Sequence, residues 1–453
     1  MRNTLHKQLP IVSTYIDHEH ADELRQISEI LDSFGTEFVD LVHADLIRGV
    51  ENPEKGREGM CADQVLRALL LKQMKGYGYD QLHFHLMDSK SYGAFCRFGI
   101  ADGIPSVSGL KHNLKLVRAE TLESINNKIV RYARDSGIED GKRIRTDCTV
   151  EETNIHEPSD SHLLFDCVRV LARLMHRATD GLADATFTDH TRRAKRRWRN
   201  IEHTSKESKR IGLYRELVKV TENTVRAAAS VVEALGAIRR PDIFEVAKAA
   251  NLAFELEHYG LLAQKVIDQT KRRLFHDETV SPEEKVVSIF EPHTDIIIKD
   301  RRKTHFGHKL CLTTGSSGLV LDCVVEDGNP ADSTLSVEMV ERINRILGSV
   351  PEQAAFDGGF ASKKNLADIK ALGVEDVAFN KKRGLEISEM ARSSWIYRNL
   401  SFFRAGIEST ISFLKRCFGL GRCMWRGLAS FKSYTWASVL SHNLLILARH
   451  QLD

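Results

Sequence analysis

The sequence predicts a mixed α/β protein. A sheet flanked by helices is preceded by an all-helical N-terminal region and interrupted, after its first strand, by a long all-helical insertion. Three observations carry this. β-branched runs at 144–150, 305–314 and 319–325 break an otherwise helical rhythm. Helix and strand signals then alternate from Ser333 to Phe379, as they do where helices cover a sheet. Between the first run and the second, residues 159 to about 276 are helical in pattern.

Bulk properties set the frame. A chain of 453 residues can form two or three domains with substantial cores. With 42% hydrophobic and 28% charged residues, the composition is that of an ordinary soluble protein. Sixty-five basic against 62 acidic residues leave a net charge of +3, so only local clusters can point to nucleic acid. The eight cysteines (61, 96, 148, 167, 311, 323, 417 and 423) form no CxxC pair, which favours reduced thiols in a cytoplasmic protein over a zinc ribbon. The N-terminal residues lack an apolar core of signal-peptide length. No run approaches the ~18 apolar residues of a membrane span. A soluble, cytoplasmic protein is expected.

Residues 1–140 read as helices. Asp22 to Leu46 has helical spacing, Cys61 to Leu71 starts a second helix, and Leu82 to Leu86 lies on a third after Gly76-Tyr77-Gly78. Pro105-Ser106-Val107-Ser108 is a capped helix start, and the helix behind it presents Lys111, His112, Asn113, Lys115 and Arg118. The pattern suits a helix-turn-helix DNA reader with 106–118 as recognition helix, and equally a plain bundle with a charged outer face. The strand at 144–150 carries Asp147, and an acid on a central strand needs a partner or a task.

Within 159–285, Leu163 to Met175 is one helix. Lys206 to Leu235 and Phe244 to Phe275 form a hairpin turned at 236–241. Between them, Arg192, Arg193, Lys195, Arg196, Arg197 and Arg199 surround Trp198. Such a run is either a phosphate-tracking stripe with a base-stacking tryptophan or a solvated face, and Lys381-Lys382-Arg383 has the same ambiguity. After the 305–325 hairpin come a helix at 333–347, a short strand ending at Asp357 before Gly358-Gly359, a helix at 362–372 and a strand at 374–379. A last helix spans about 431–450.

On the preceding helix, Arg404, Glu408 and Lys415 fall within about 40° of one another at about 100° per residue. An acid between two bases suits a metal ligand flanked by phosphate contacts, and also a solvated face with an i,i+4 ion pair. Taken together, the elements place acids on the first strand (Asp147), a later strand (Asp357) and a final helix (Glu408). That order matches the ribonuclease-H-like fold, whose three acids converge on metal, and the helical insertion accounts for the long interval after Asp147. Three carboxylates can hold two Mg²⁺ ions about a scissile phosphate. Glu151, Glu152, Asp322, Asp327 and Glu386 are competing acids on nearby elements.

Here the sequence resembles the DDE transposases of bacterial insertion sequences, over nearly its whole length. Residues 60–118, ending in PSVSGLKHNL, resemble their helical N-terminal domain. Residues 146–156, extended by 158–161 and 166–171, resemble the first-aspartate box, and Phe356-Asp357-Gly358-Gly359-Phe360 the second. Arg404, Glu408 and Lys415 match the Tyr-x2-Arg-x3-Glu-x6-Lys signature, with Ser401 in the tyrosine place.

The resemblance implies a ribonuclease-H-like catalytic domain over 141–158 and 286–453, a DNA-binding domain over 1–140 and a helical insertion over 159–285. It implies an enzyme that cleaves element ends and transfers the 3′-OH into target DNA at two Mg²⁺ ions, with Mn²⁺ able to substitute. Asp147, Asp357 and Glu408 would be the catalytic and metal residues. Arg404, Lys415, the 192–199 cluster and Lys111, Asn113 and Lys115 would contact DNA; Asn154 and His156, just past the first acid, would either touch substrate or simply form a loop. The partners implied are terminal inverted repeats and target DNA, bound by a homodimer associated with the nucleoid. A nuclease without strand transfer and a non-catalytic DNA-binding descendant are the alternatives.

Overall fold

Amphipathic repeats and serine or glycine punctuation divide the described residues of the N-terminal part of the computed structural model into seven helices. They are α1 (Glu19–Ser33), α2 (Glu37–Leu46), α3 (Ala62–Lys75), α4 (Tyr79–Asp88), α5 (Lys90–Phe95), α6 (Val107–Leu114) and α7 (Ala119–Asp135). The structure describes residues 4, 16–53, 55, 59–99, 103–238, 242–299, 303–380 and 384–452. Lys381-Lys382-Arg383 and the end of the 236–241 turn lie outside the described residues. α3 stops at Gly76, whose φ of 64° is a left-handed conformation that glycine adopts without penalty. Ser106 caps α6 by accepting the Gly109 N–H.

The chain divides into two compact units, residues 1–154 with 307–453, and residues 155–306. In the first, β1 (Arg143–Thr153) is the central strand. After the second unit the chain returns as β3 (Lys303–Thr314), then β4 (Val320–Val325), α12 (Ser336–Leu347), β5 (Gln353–Phe356), α13 (Lys363–Ala371) and β6 (Asp376–Phe379). The short α14 (Ile387–Met390), α15 (Ser394–Cys417), β7 (Arg422–Cys423) and α16 (Leu428–Leu452) complete it. β4, β3, β1, β5 and β6 lie side by side, with β7 against the far end of β1. β3 runs antiparallel to β1 and to β4, whereas β5 is parallel to β1 and β6 parallel to β5.

Where the chain leaves β1 and rejoins β3, Glu152 stands opposite Gly307. The strands are so close there that a Cβ on Gly307 would sit 2.0 Å from the Glu151 carbonyl oxygen, so only glycine fits.

The core of this unit joins residues of α1–α7 to the sheet and to α16. α16 is buried along nearly its whole length, and Asn443 ties it to α7 and β4 by donating to Asn126 Oδ1 and the Val320 carbonyl, both at 2.7 Å. Residues 1–140 thus share one core with the sheet. In α3, fully buried Arg67 donates to Asp63 at 2.7 Å and to Asp32 at 2.6 Å, so its charge is neutralised within the region.

The second unit has its own core. It holds α8 (Asp160–Thr179), α9 (Thr191–Glu202), α10 (Glu207–Gly236), α11 (Ile243–Phe275) and β2 (Asp295–Lys299), a strand that the sequence reading missed. All eight cysteines are free thiols. Among the described residues, no helix is long and apolar enough to cross a membrane.

Candidate active site

Strand register brings the first two acids together. β1 and β5 run parallel with Thr146 beside Phe356, so the next residue on each strand, Asp147 and Asp357, falls at the same edge. Alternation turns Thr146 into the sheet's interior, where its hydroxyl meets that of Thr313 at 2.8 Å, and leaves Asp147 on the opposite face. Asp147 Oδ1 accepts the Cys148 N–H at 2.8 Å. Asp357 follows the last residue of β5 and opens a single 3₁₀ turn, Gly358–Phe360. A Cβ on Gly359 would lie 2.5 Å from Asp332 Oδ2, so the second glycine lets the turn pass this carboxylate.

The third acid comes from α15. Leu400, Ile407 and Leu414, seven residues apart, form its buried stripe, and Leu400 packs on Ala355 and Ala378. Small residues on β5 and β6 let the helix approach closely. Arg404 lies near the same stripe with its side chain 9% exposed, and Glu408, one turn on, is 65% exposed.

One guanidinium joins all three acids. Arg404 Nη2 donates to Asp147 Oδ2 at 2.7 Å and stands 3.5 Å from Asp357 Oδ1, while Nη1 donates to Glu408 Oε1 at 2.8 Å. Three carboxylates facing one point repel one another unless a cation sits among them, and here the arginine supplies that charge. The donor set is all oxygen, as hard divalent ions require, so Asp147, Asp357 and Glu408 fit such an ion. The Arg404–Glu408 pair anticipated as a surface contact therefore exists, but on a buried arginine that also holds Asp147.

Three turns beyond Arg404, Lys415 Nζ donates to the Val150 carbonyl at 2.8 Å. Ser401, in the tyrosine place, turns its hydroxyl back to the Tyr397 carbonyl, and Tyr397 donates to the Phe379 carbonyl.

Arg145 was missed by the sequence reading. Its Nε donates to Thr314 Oγ1 and its Nη1 to the Phe403 carbonyl, each at 2.8 Å, with the guanidinium 4.6 Å from the Phe403 ring centroid. It props α15 against β1. The signal was Gly406, an unfavourable residue inside a helix, whose Cβ would lie 2.0 Å from Arg145 Nη1. Asp332 was missed too, and it is ion-paired with the buried Lys309.

The competing acids have other work. Glu151 is fully buried and accepts from the Thr435 hydroxyl at 2.6 Å, and burial pushes its carboxyl well above the usual range. Asp322 accepts from Arg342 at 2.9 Å, Glu386 caps α14, and Asp327 is exposed.

Residues expected to meet DNA are differently placed. On α6, Lys111 is exposed, whereas Asn113 is buried and spends its amide on the Gly109 carbonyl at 2.7 Å. Lys115 Nζ lies 5.7 Å from the Trp425 ring centroid. On α9, Arg192, Arg193, Lys195, Arg196 and Arg199 are exposed and have no ion-pair partner among the described residues, while Arg197 pairs with Glu216. Trp198 is half-buried and stacks on Phe165, with centroids 5.2 Å apart and planes at 2°, so one ring face is already covered. Asn154 is exposed at the end of the first unit. His156 belongs to the second unit, where its ring stacks on His162.

Residues 266–444 match the family model described as "Transposase DDE domain", a span that includes Asp357 and Glu408, with Asp147 N-terminal to it. Residues 12–116 match a second model, "Transposase domain (DUF772)". Neither the curated proteins nor the solved structures offer a match. The two spans define a transposase with a helical N-terminal region. The chain belongs to the DDE transposases of insertion sequences. Members of that family act on DNA by phosphoryl transfer and generally use divalent metal ions.

Proposed function

We propose that this transposase cleaves the ends of its element and joins the resulting 3′-OH to target DNA, at a site built from Asp147, Asp357 and Glu408. The observation that carries the reading is the single guanidinium in reach of all three acids, which come from β1, the end of β5 and α15. The strand order β4–β3–β1–β5–β6, antiparallel on one side of β1 and parallel on the other, supports a ribonuclease-H-like catalytic domain.

Two Mg²⁺ ions held by these acids would activate the attacking oxygen and stabilise the leaving oxygen. The chain's own contribution is positioning. Asp147 is fixed by the Cys148 N–H and by its place on the central strand, so its second oxygen points to the same locus as Asp357 and Glu408. Bound cations would relieve Arg404 of neutralising the acids and would leave its guanidinium free to hold phosphate. The exposed cations of α9 and Lys111 on α6 supply sequence-independent attraction to the DNA backbone. Recognition of the terminal repeats by residues 1–140, and pairing of two ends by a homodimer, belong to the same reading.

The test is a strand-transfer assay with end DNA, target DNA and Mg²⁺. Loss of a metal ligand removes several kcal/mol of transition-state stabilisation, so Asp357→Ala and Glu408→Ala should each lower cleavage and joining about 10³-fold. Cleavage that survives Asp357→Ala would overturn the site. Cleavage without joining in the unaltered chain would make it a nuclease.

A further inference from the structure

The residues that follow β1 build a second cluster with metal-ligand chemistry, within the second unit. His162 and Asp166 lie one turn apart on α8, and His156 reaches them from the loop before it. Asp166 is buried, its side chain 1% exposed, and Arg169 donates to its Oδ1 at 2.6 Å. The other oxygen, Oδ2, stands 3.4 Å from His156 Nε2 and 4.0 Å from His162 Nε2. All three ligand atoms lie within 4.8 Å of one another.

These spacings are long for N–H···O hydrogen bonds. The first is close to the ~3.3 Å that separates neighbouring ligands around a tetrahedral ion with bonds near 2.0–2.1 Å. His156 Nδ1 lies 3.3 Å from the Glu157 carbonyl, and in the tautomer that carries its proton on Nδ1 the Nε2 lone pair faces Asp166 Oδ2, an arrangement that a cation between them would satisfy. A second ring nitrogen held by a backbone carbonyl, and a ligand carboxylate held by an arginine, are the outer contacts that orient metal ligands.

We propose that His156, His162 and Asp166 form a binding site for a Zn²⁺-class ion, separate from the carboxylate site. Two imidazoles and a carboxylate are a donor set that zinc accepts and Mg²⁺ does not favour. The rings are parallel, 3.9 Å between centroids with planes at 8°, so binding requires them to splay until both lone pairs converge. His156 is 46% exposed, which leaves solvent or a ligand oxygen to complete the fourth position. The ion would tie the 155–159 loop to the first turns of α8.

The experiment equilibrates the full chain with Zn²⁺, dialyses it against excess Mg²⁺ to saturate the carboxylate site, and measures retained zinc by elemental analysis. One zinc per chain is expected in the unaltered protein and in Asp357→Ala, and none in the double variant His156→Gln/His162→Gln. Circular dichroism checks that the double variant is folded, and His162→Cys, which restores a zinc ligand, should recover retention. Absence of retained zinc in the unaltered chain, or equal retention in a folded double variant, overturns the proposal. Loss of zinc in Asp357→Ala alone would place the ion at the carboxylate site and overturn it as well. The outcome does not depend on whether strand transfer occurs.

Discussion

Arg404 shows how one side chain can carry two assignments. By spacing alone it pairs with Glu408, and it does so at 2.8 Å, but burial and the parallel register of β1 and β5 add Asp147 and Asp357 to its partners. The three acids could be named from the sequence because Asp147 lies within a β-branched run, Asp357 closes a short strand and Glu408 sits inside a clear helix. The arginine's central place was not, since it depends on which strands become neighbours. Gly406 is the residue whose replacement tests the geometry. Alanine in its place would gain about 1 kcal/mol of helix propensity. The added Cβ must displace Arg145 from Thr314 and Phe403, a disruption of the size of core overpacking, about 1–3 kcal/mol. Gly406→Ala should therefore lower the melting temperature, and a rise would show that Arg145 does not support α15.

At the scale of elements, the helices and the 305–325 hairpin were read closely, because serine caps, glycine stops and apolar periodicity are local signals. β2 escaped because five residues beside a long helical region carry too little pattern. The burial of Asn113 escaped as well, since a polar residue on a short helix gives no sign of which face is covered.

α16 carries the pH dependence. His442 is fully buried on it, with the edges of Phe413 and Phe418 nearby, and burial lowers its pKa from 6.5 to about 4. The unfolded chain takes up a proton below about pH 6.5 that the folded chain refuses until about pH 4. Stability from this group is thus intact above pH 6.5 and falls as the pH drops towards 4, by about 3 kcal/mol in total. The loss of melting temperature between pH 7 and 4.5 should be smaller in His442→Gln than in the unaltered chain. Glu151 acts in the opposite sense, since burial keeps it protonated and its contribution fades as the pH rises above 4.5, so the comparison is made between variants.

For the whole molecule, the organising fact is that each unit has its own core while the chain of one interrupts the other. Composition announced the interruption, as a long helical stretch where a sheet should continue. The second compact unit covers 155–306, and the β1–β3 pairing that flanks it in sequence, with Glu152 opposite Gly307, is not something that composition reveals. Replacing residues 155–306 with an Asn-Gly turn, which suits a two-residue hairpin, should leave a first unit that melts cooperatively with its strand content intact. Circular dichroism and calorimetry would check this, and a molten product would mean that the second unit is needed to hold the sheet.

The tight seam between Glu151-Glu152 and Gly307 then has an evolutionary reading. It works as a cassette slot: a fixed staple on one side, and a cargo whose length and content can change without shifting the register that sets Asp147 beside Asp357. Insertions of quite different size could be exchanged at this slot while the catalytic strands stay in step.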